Sequence, residues 1–173
     1  MAERARREPE LTFIGIDPNH AGLIEVSRKA DGPAKKGGLP NALFVLGSAE
    51  DLPGVFEGRA SSVSVLFPWG SLLRAATMPE PEFVARLAAL CAPGAGLELV
   101  YSFDARDAGE LARLGLGEST PESVAGGYAV GGLDVVSVEE LDAAGIKDYP
   151  TTWARKLAAG SDRTAVRLRM LRR

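Results

Sequence analysis

Val63-Ser64-Val65-Leu66-Phe67-Pro68-Trp69-Gly70 decides how the rest of the chain is read. The apolar run has the character of a buried strand. It stops at Phe-Pro-Trp-Gly, because proline has no amide hydrogen for a ladder and glycine permits a tight turn. Two aromatic rings are left at the strand's carboxyl end, the edge at which open α/β sheets bind ligands. Such rings also serve to pack cores, and this stretch by itself leaves both uses open.

On its amino-terminal side, Ala42 to Leu46 reads as a strand that runs into Gly47-Ser48-Ala49-Glu50-Asp51-Leu52-Pro53. Small residues followed by acids at a strand end suit the floor of an adenine pocket, or an ordinary turn. Leu11 to Ile16 is another buried strand, ending in Asp17-Pro18-Asn19. An acid there suits a ribose hydroxyl pair, and equally a helix cap or turn. Ala21 to Ala30 has helical spacing, with Arg28 and Lys29 in the last turn, where cations favour the helix dipole. A turn-rich loop over residues 31–40 adds Lys35 and Lys36. These four cations read as a solvated loop or as a phosphate-contacting patch. Residues 2–8 resemble the back half of a helix stopped by Pro9, with no helix start before them.

On the carboxyl side, helices are expected over residues 71–76 and 82–90, with Pro79 and Pro81 between them. Strand follows over 96–103, helix over 107–116, and a glycine-rich stretch over 117–132 with a weak helix at 121–130. Residues 133–138 read as strand and 139–144 as a helical turn. Residues 147–160 read as a helix with Trp153 near its start. Residues 163–171 alternate apolar and basic side chains, the period of a final strand. Arg155, Lys156 and Arg163 belong to a second cluster of cations.

Strands alternating with helices define an α/β class with a mostly parallel sheet. The closing strand is expected antiparallel near the edge. The 173 residues, 46% of them hydrophobic, suit one domain, and no internal repeat breaks them. A net charge of −3 leaves only local patches for a polyanion. One cysteine, Cys91, excludes a disulfide framework, and one histidine beside it argues against a structural metal site. No apolar run approaches the roughly 18 residues of a membrane span, and the charged start is no secretory signal, so a cytoplasmic protein is expected.

The order of these pieces resembles one family. Gly-Ile-Asp-Pro, Lys-Gly-Gly-Leu-Pro-Asn, Ala-Glu-x-Leu-Pro, Phe-Pro-Trp-Gly-Ser-Leu-Leu and Thr-x-Trp-Ala-x-Lys-Leu occur in turn, before a basic strand. They resemble the 16S ribosomal RNA adenine-N1 methyltransferases that act at adenine 1408 and confer aminoglycoside resistance. The resemblance runs from about Leu11 to Arg169, and the Phe-Pro-Trp-Gly-Ser-Leu-Leu segment and the Trp153 context are its specific parts. It implies a Rossmann-like class I methyltransferase sheet that uses S-adenosyl-L-methionine. Asp17 would hold the ribose hydroxyls, and Ala49 and Glu50 would lie against the cofactor adenine. Phe67, Pro68 and Trp69 would wall the target pocket, and Trp153 would close it. Arg28, Lys29, Lys35, Lys36, Arg155, Lys156 and Arg163 would contact rRNA of the small (30S) ribosomal subunit, with the protein acting as a monomer. The chemistry suits these residue types. Adenine N1 carries an in-plane lone pair, so the site must place the base more than activate it. Aromatic faces also stack on an extruded base and favour the cationic product.

The family begins with a strand and an acidic, glycine-rich loop, whereas the first glycine here is Gly15. Residues 1–7 match the tail of the helix after that loop. Residues 1–173 are therefore expected to form a single, N-terminally incomplete methyltransferase domain lacking the first strand, through either a misplaced start or a truly short chain. Weak cofactor binding and a tendency to aggregate are expected of it. A non-catalytic RNA-binding remnant and a small-molecule methyltransferase are the alternatives. The basic clusters argue against the small-molecule enzyme.

Overall fold

A computed structural model describes residues 1–52, 54–116, 119–159 and 162–173. Pro53 of the turn after the second strand, Gly117 of the glycine-rich stretch and Gly160 at the end of the Trp153 segment lie outside the described residues. The chain divides into two compact units, Met1–Leu52 and Pro53–Arg173.

The first unit contains α1 (Ala2–Arg7), β1 (Phe13–Asp17), α2 (His20–Ala30) and β2 (Ala42–Leu46). The strands β1 and β2 pair in parallel, with Asp17 opposite Leu46. Asn19 caps α2 by accepting a hydrogen bond from Gly22 N at 3.1 Å. The Asn41 amide donates to the carbonyls of Ala5 (2.9 Å), Glu8 (3.2 Å) and Leu11 (2.9 Å). One side chain thus ties the end of α1 and the following turn to the start of β2. A small core of Ala5, Ala30, Leu39 and Ala42 fills the space between the elements.

The second unit is built on a four-stranded sheet ordered β3-β4-β6-β5: β3 (Ala60–Leu66), β4 (Cys91–Tyr101), β5 (Leu133–Leu141) and β6 (Ala165–Arg172). β3 and β4 are parallel, whereas β6 runs antiparallel to both β4 and β5. The helices are α3 (Gly70–Thr77), α4 (Pro81–Leu90), α5 (Ala108–Leu114), α6 (Pro121–Val130), α7 (Ala143–Lys147) and α8 (Thr152–Ala158). Leu97, Leu99 and Tyr101 alternate onto one face of β4 and are buried, as are Leu168 and Met170 opposite them. The Tyr128 hydroxyl of α6 donates to the Ala76 carbonyl of α3 at 3.0 Å, which satisfies a buried phenol and joins the two helices.

The α/β class agrees with the sequence reading, as does β6, antiparallel and one place in from the edge strand β5; three other details, in β5, the helix before β6 and β4, differ. The basic side chains of β6 tolerate that place because Arg167 pairs with Glu139 on β5 and Arg169 approaches Glu98 on β4 at 3.8 Å. Residues 139–141 continue β5, and the helix starts only after Asp142, whose side chain accepts from Gly145 N. The helix expected over 147–160 starts only at Thr152, because α7 ends at Lys147, Pro150 has no amide hydrogen to donate and Thr151 caps α8. β4 starts early at Cys91, with its register shifting around Pro93 and Gly94, the latter at φ 74°.

Candidate functional site

Phe67 ends β3. Its amide donates to the Val100 carbonyl at 2.7 Å, and its backbone then turns left-handed at φ 50°. It is the only non-glycine among the described residues with positive φ. The ring is buried in a cluster with Val100, Leu141, Ile146, Ala154 and Ala165. Pro68 is buried too, and Trp69 emerges extended at the head of α3 with 46% of its surface exposed. Phe67 is therefore packed into the core, whereas the Trp69 indole, two residues on, is half exposed.

Thr151 Oγ1 caps α8 by accepting from Ala154 N at 2.9 Å. Ala154 is fully buried, so its neighbour Trp153 points outward, 42% exposed. The Trp69 and Trp153 rings lie 6.5 Å apart at 72°, an edge-to-face pair. Half-exposed paired indoles are unusual in a core but suit a planar ligand. Lys156 Nζ stands 5.8 Å from the Trp153 ring centroid, and Arg155 and Lys156 are exposed on the same helix. Arg163 differs: it is buried, 2.7 Å from Asp107 and 3.8 Å from Asp104. Asp104 is held well below the usual carboxylate range, chiefly by hydrogen bonds from Arg106.

In the first unit, Asp17 stands at the carboxyl end of β1. Its Oδ1 accepts from Asn19 N at 2.7 Å, and its Oδ2 has no hydrogen bond among the described residues. Asn19 does the helix capping, so Asp17 keeps an acceptor for hydroxyl groups. Gly47 N donates to the Asp17 carbonyl at 3.3 Å, and Ala49 and Glu50 follow in a half-buried turn bridged by Ser48 and Asp51. The three expected cofactor residues thus share one edge of the β1–β2 pair. Arg28, Lys35 and Lys36 are exposed with no ion-pair partner among the described residues, whereas Lys29 pairs with Glu25 at 2.6 Å.

The sequence reading missed two residues. Arg6 Nη2 lies 4.0 Å from where a Cβ on Gly37 would sit, which puts it beside the Lys35–Lys36 loop. Tyr149 packs edge-on against Phe67. A tyrosine-proline pair just before a capping threonine was the available signal for Tyr149. Nothing local signals Arg6.

The NpmA family model, described as 16S rRNA (adenine(1408)-N(1))-methyltransferase, matches residues 1–172. A protein of that description from Escherichia coli is 33% identical over 162 residues, covering 90% of this chain and 74% of its own. One from Streptoalloteichus hindustanus is 34% identical over 171 residues, covering 92% and 75%. The crystal structure of the aminoglycoside resistance methyltransferase NpmB1 superposes with a TM-score of 0.84 at 38% identity, covering 99% of this chain and 81% of that one. A tryptophan-to-alanine variant of the Catenulisporales acidiphilia enzyme, solved with cosubstrate SAM, gives 0.84 at 30% identity, covering 99% and 79%.

Proposed function

The chain belongs to the 16S rRNA (adenine(1408)-N(1))-methyltransferase family, and we propose that it methylates N1 of that adenine in the small ribosomal subunit, giving aminoglycoside resistance. The observation that carries this reading is the half-exposed Trp69–Trp153 pair, two indole faces on which a base drawn out of its helix would stack. The names of the relatives favour this reading over an RNA-binding remnant or a small-molecule enzyme.

Asp17 fits S-adenosyl-L-methionine through its unused Oδ2, which suits a ribose diol. Ala49 and Glu50 lie on the same strand edge, where they would meet the adenine. When bound, the cofactor supplies a sulfonium methyl that the N1 lone pair accepts. The chain's part is to hold the target. Phe67 and Pro68, both buried, hold from behind the turn that Trp69 leaves, rather than walling the pocket, and Trp69 and Trp153 stack the base and stabilise its positive charge after transfer. Arg28, Lys29, Lys35, Lys36, Arg155 and Lys156 contact rRNA phosphates. Arg163 is committed to Asp107, so it acts by fixing the approach to β6. The reading takes residues 1–173 as one methyltransferase domain working as a cytoplasmic monomer. Among the described residues no helix is long and apolar enough to cross a membrane.

The test is transfer of labelled methyl to 30S subunits, with the modified base located by a reverse-transcription stop. Trp69→Ala and Trp153→Ala should each lower turnover by about 100-fold while subunit affinity changes little. Intact methylation in both variants would overturn the stacking role.

A further inference from the structure

Phe67 occupies a conformation that two local rules disfavour. A positive φ is costly for a residue with a Cβ, and a residue before proline normally stays extended. Here φ is 50° and Pro68 follows. Such a conformation persists only where surroundings over-determine it. The amide bond to Val100 is one constraint. The ring is also held in its buried cluster, and on it packs Tyr149, whose ring meets the Phe67 ring at 5.6 Å and 87°.

Tyr149 is itself fixed from three directions. Its amide donates to Ile146, and its carbonyl accepts from Thr151 N at 2.8 Å across Pro150. Its hydroxyl donates to Glu98 Oε1 at 3.1 Å and also meets Arg167. Those two side chains stand on β4 and β6, and each approaches a further ion partner, Arg169 and Glu139 respectively. Burial raises the phenol above its ordinary range, ahead of the opposing contact with Arg167, so the hydroxyl stays a donor at neutral pH. Trp69 lies two residues beyond Phe67, and Trp153 two residues beyond Thr151. The two routes to the indole pair meet at one residue, Tyr149, one through its ring and one through its carbonyl.

We propose that Tyr149 is the positioning residue of the aromatic site: its ring locks the left-handed turn that presents Trp69, and its backbone anchors the cap that presents Trp153. The inference rests on the reading that the indole pair receives the target base. It assigns the spacing of that pair to a residue whose ring is paired with Phe67.

The experiment uses residues 1–173 with Tyr149→Leu, which removes the ring, and Tyr149→Phe, which keeps it. The chain has two tryptophans, so the far-ultraviolet exciton couplet reports their mutual geometry directly. In Tyr149→Leu the couplet should fall by about half or more and kcat by about tenfold or more, with KM for the 30S subunit within about threefold and helix signal retained. Tyr149→Phe should recover both couplet and kcat to within about threefold of the parent. A Tyr149→Leu protein with couplet and kcat intact would overturn the proposal. So would losses that only track a loss of helix signal, because that is a general structural role. If the parent chain transfers no methyl group, that failure belongs to the functional reading, and the couplet alone decides the role of Tyr149.

Discussion

The two compact units bury very different material. In Met1–Leu52 the buried apolar residues are Ala5, Ala30, Leu39 and Ala42, three of them alanines. Leu43 and Leu46, both on β2, stay 54% and 57% exposed. In the second unit Tyr101, Tyr128, Leu97, Leu99, Leu168 and Met170 are buried almost completely. The unit with the proposed ribose acid is a two-stranded sheet packed against two helices, α1 and α2, through small side chains, a construction that is marginal alone. The unit with the paired indoles is a four-stranded sheet around large side chains. The difference teaches that placing aromatic rings demands rigidity, whereas the edge that would meet a cofactor is built with little packing of its own.

Hydrogen exchange is the sharpest way to break that comparison. Amides of β4 and β6 should be protected about 1,000-fold or more beyond those of β1 and β2. Equal protection would mean that the first unit draws its stability from something other than its own core.

Paired substitutions come next. Leu99→Ala removes a fully buried side chain from the middle of β4 and should cost about 3–4 kcal/mol in denaturant unfolding. Leu43→Ala on exposed β2 should cost under about 1 kcal/mol. Asn41→Ala sharpens the point within the first unit. It removes the hydrogen bonds to the carbonyls of Ala5, Glu8 and Leu11, and should cost about 2 kcal/mol, read as faster exchange across residues 2–8.

How much of this was legible follows the range of each interaction. Apolar runs such as Leu97-Glu98-Leu99-Val100-Tyr101 announced their strands because burial acts residue by residue. Glu139-Glu140 concealed the end of β5, because the cost of a charge there is offset by Arg167, 28 positions away. The same pairing lets the basic strand β6 sit one place in from that edge. In the candidate site, Trp69 and Trp153 were legible as residue types in context, but not as a pair 6.5 Å apart. That spacing depends on the left-handed turn at Phe67 and on Tyr149. Arg163 read as one cation among several, yet two acids from another loop bury it.

Arg6 tests whether the first unit has a second task besides the cofactor edge. Placed beside Lys35 and Lys36, it extends their patch without a carboxylate partner among the described residues. Arg6→Ala should weaken 30S binding several-fold and lower the slope of log affinity against log salt by about 1, with kcat unchanged. An unchanged slope, measured across a salt series, would remove Arg6 from the RNA-contacting surface.

The smallest effect concerns the pairing that lets β6 sit inside its sheet. Hydrogen bonds from Arg167 and Ser137 hold Glu139 below its ordinary 4.5. A carboxylate depressed in the folded state binds its proton more readily when unfolded, so its contribution is complete above the unfolded value and is lost as pH falls through the folded one. The stability gap between the parent and Glu139→Gln should therefore be constant from neutral pH down to about 4.5 and then close. Glu139 is partly exposed, so screening keeps the gap small, and high salt should narrow it further. Should the gap instead widen in acid, the pairing would not be what makes an interior position tolerable for a basic strand, and the packing of Leu168 and Met170 on the opposite face would have to carry β6 alone.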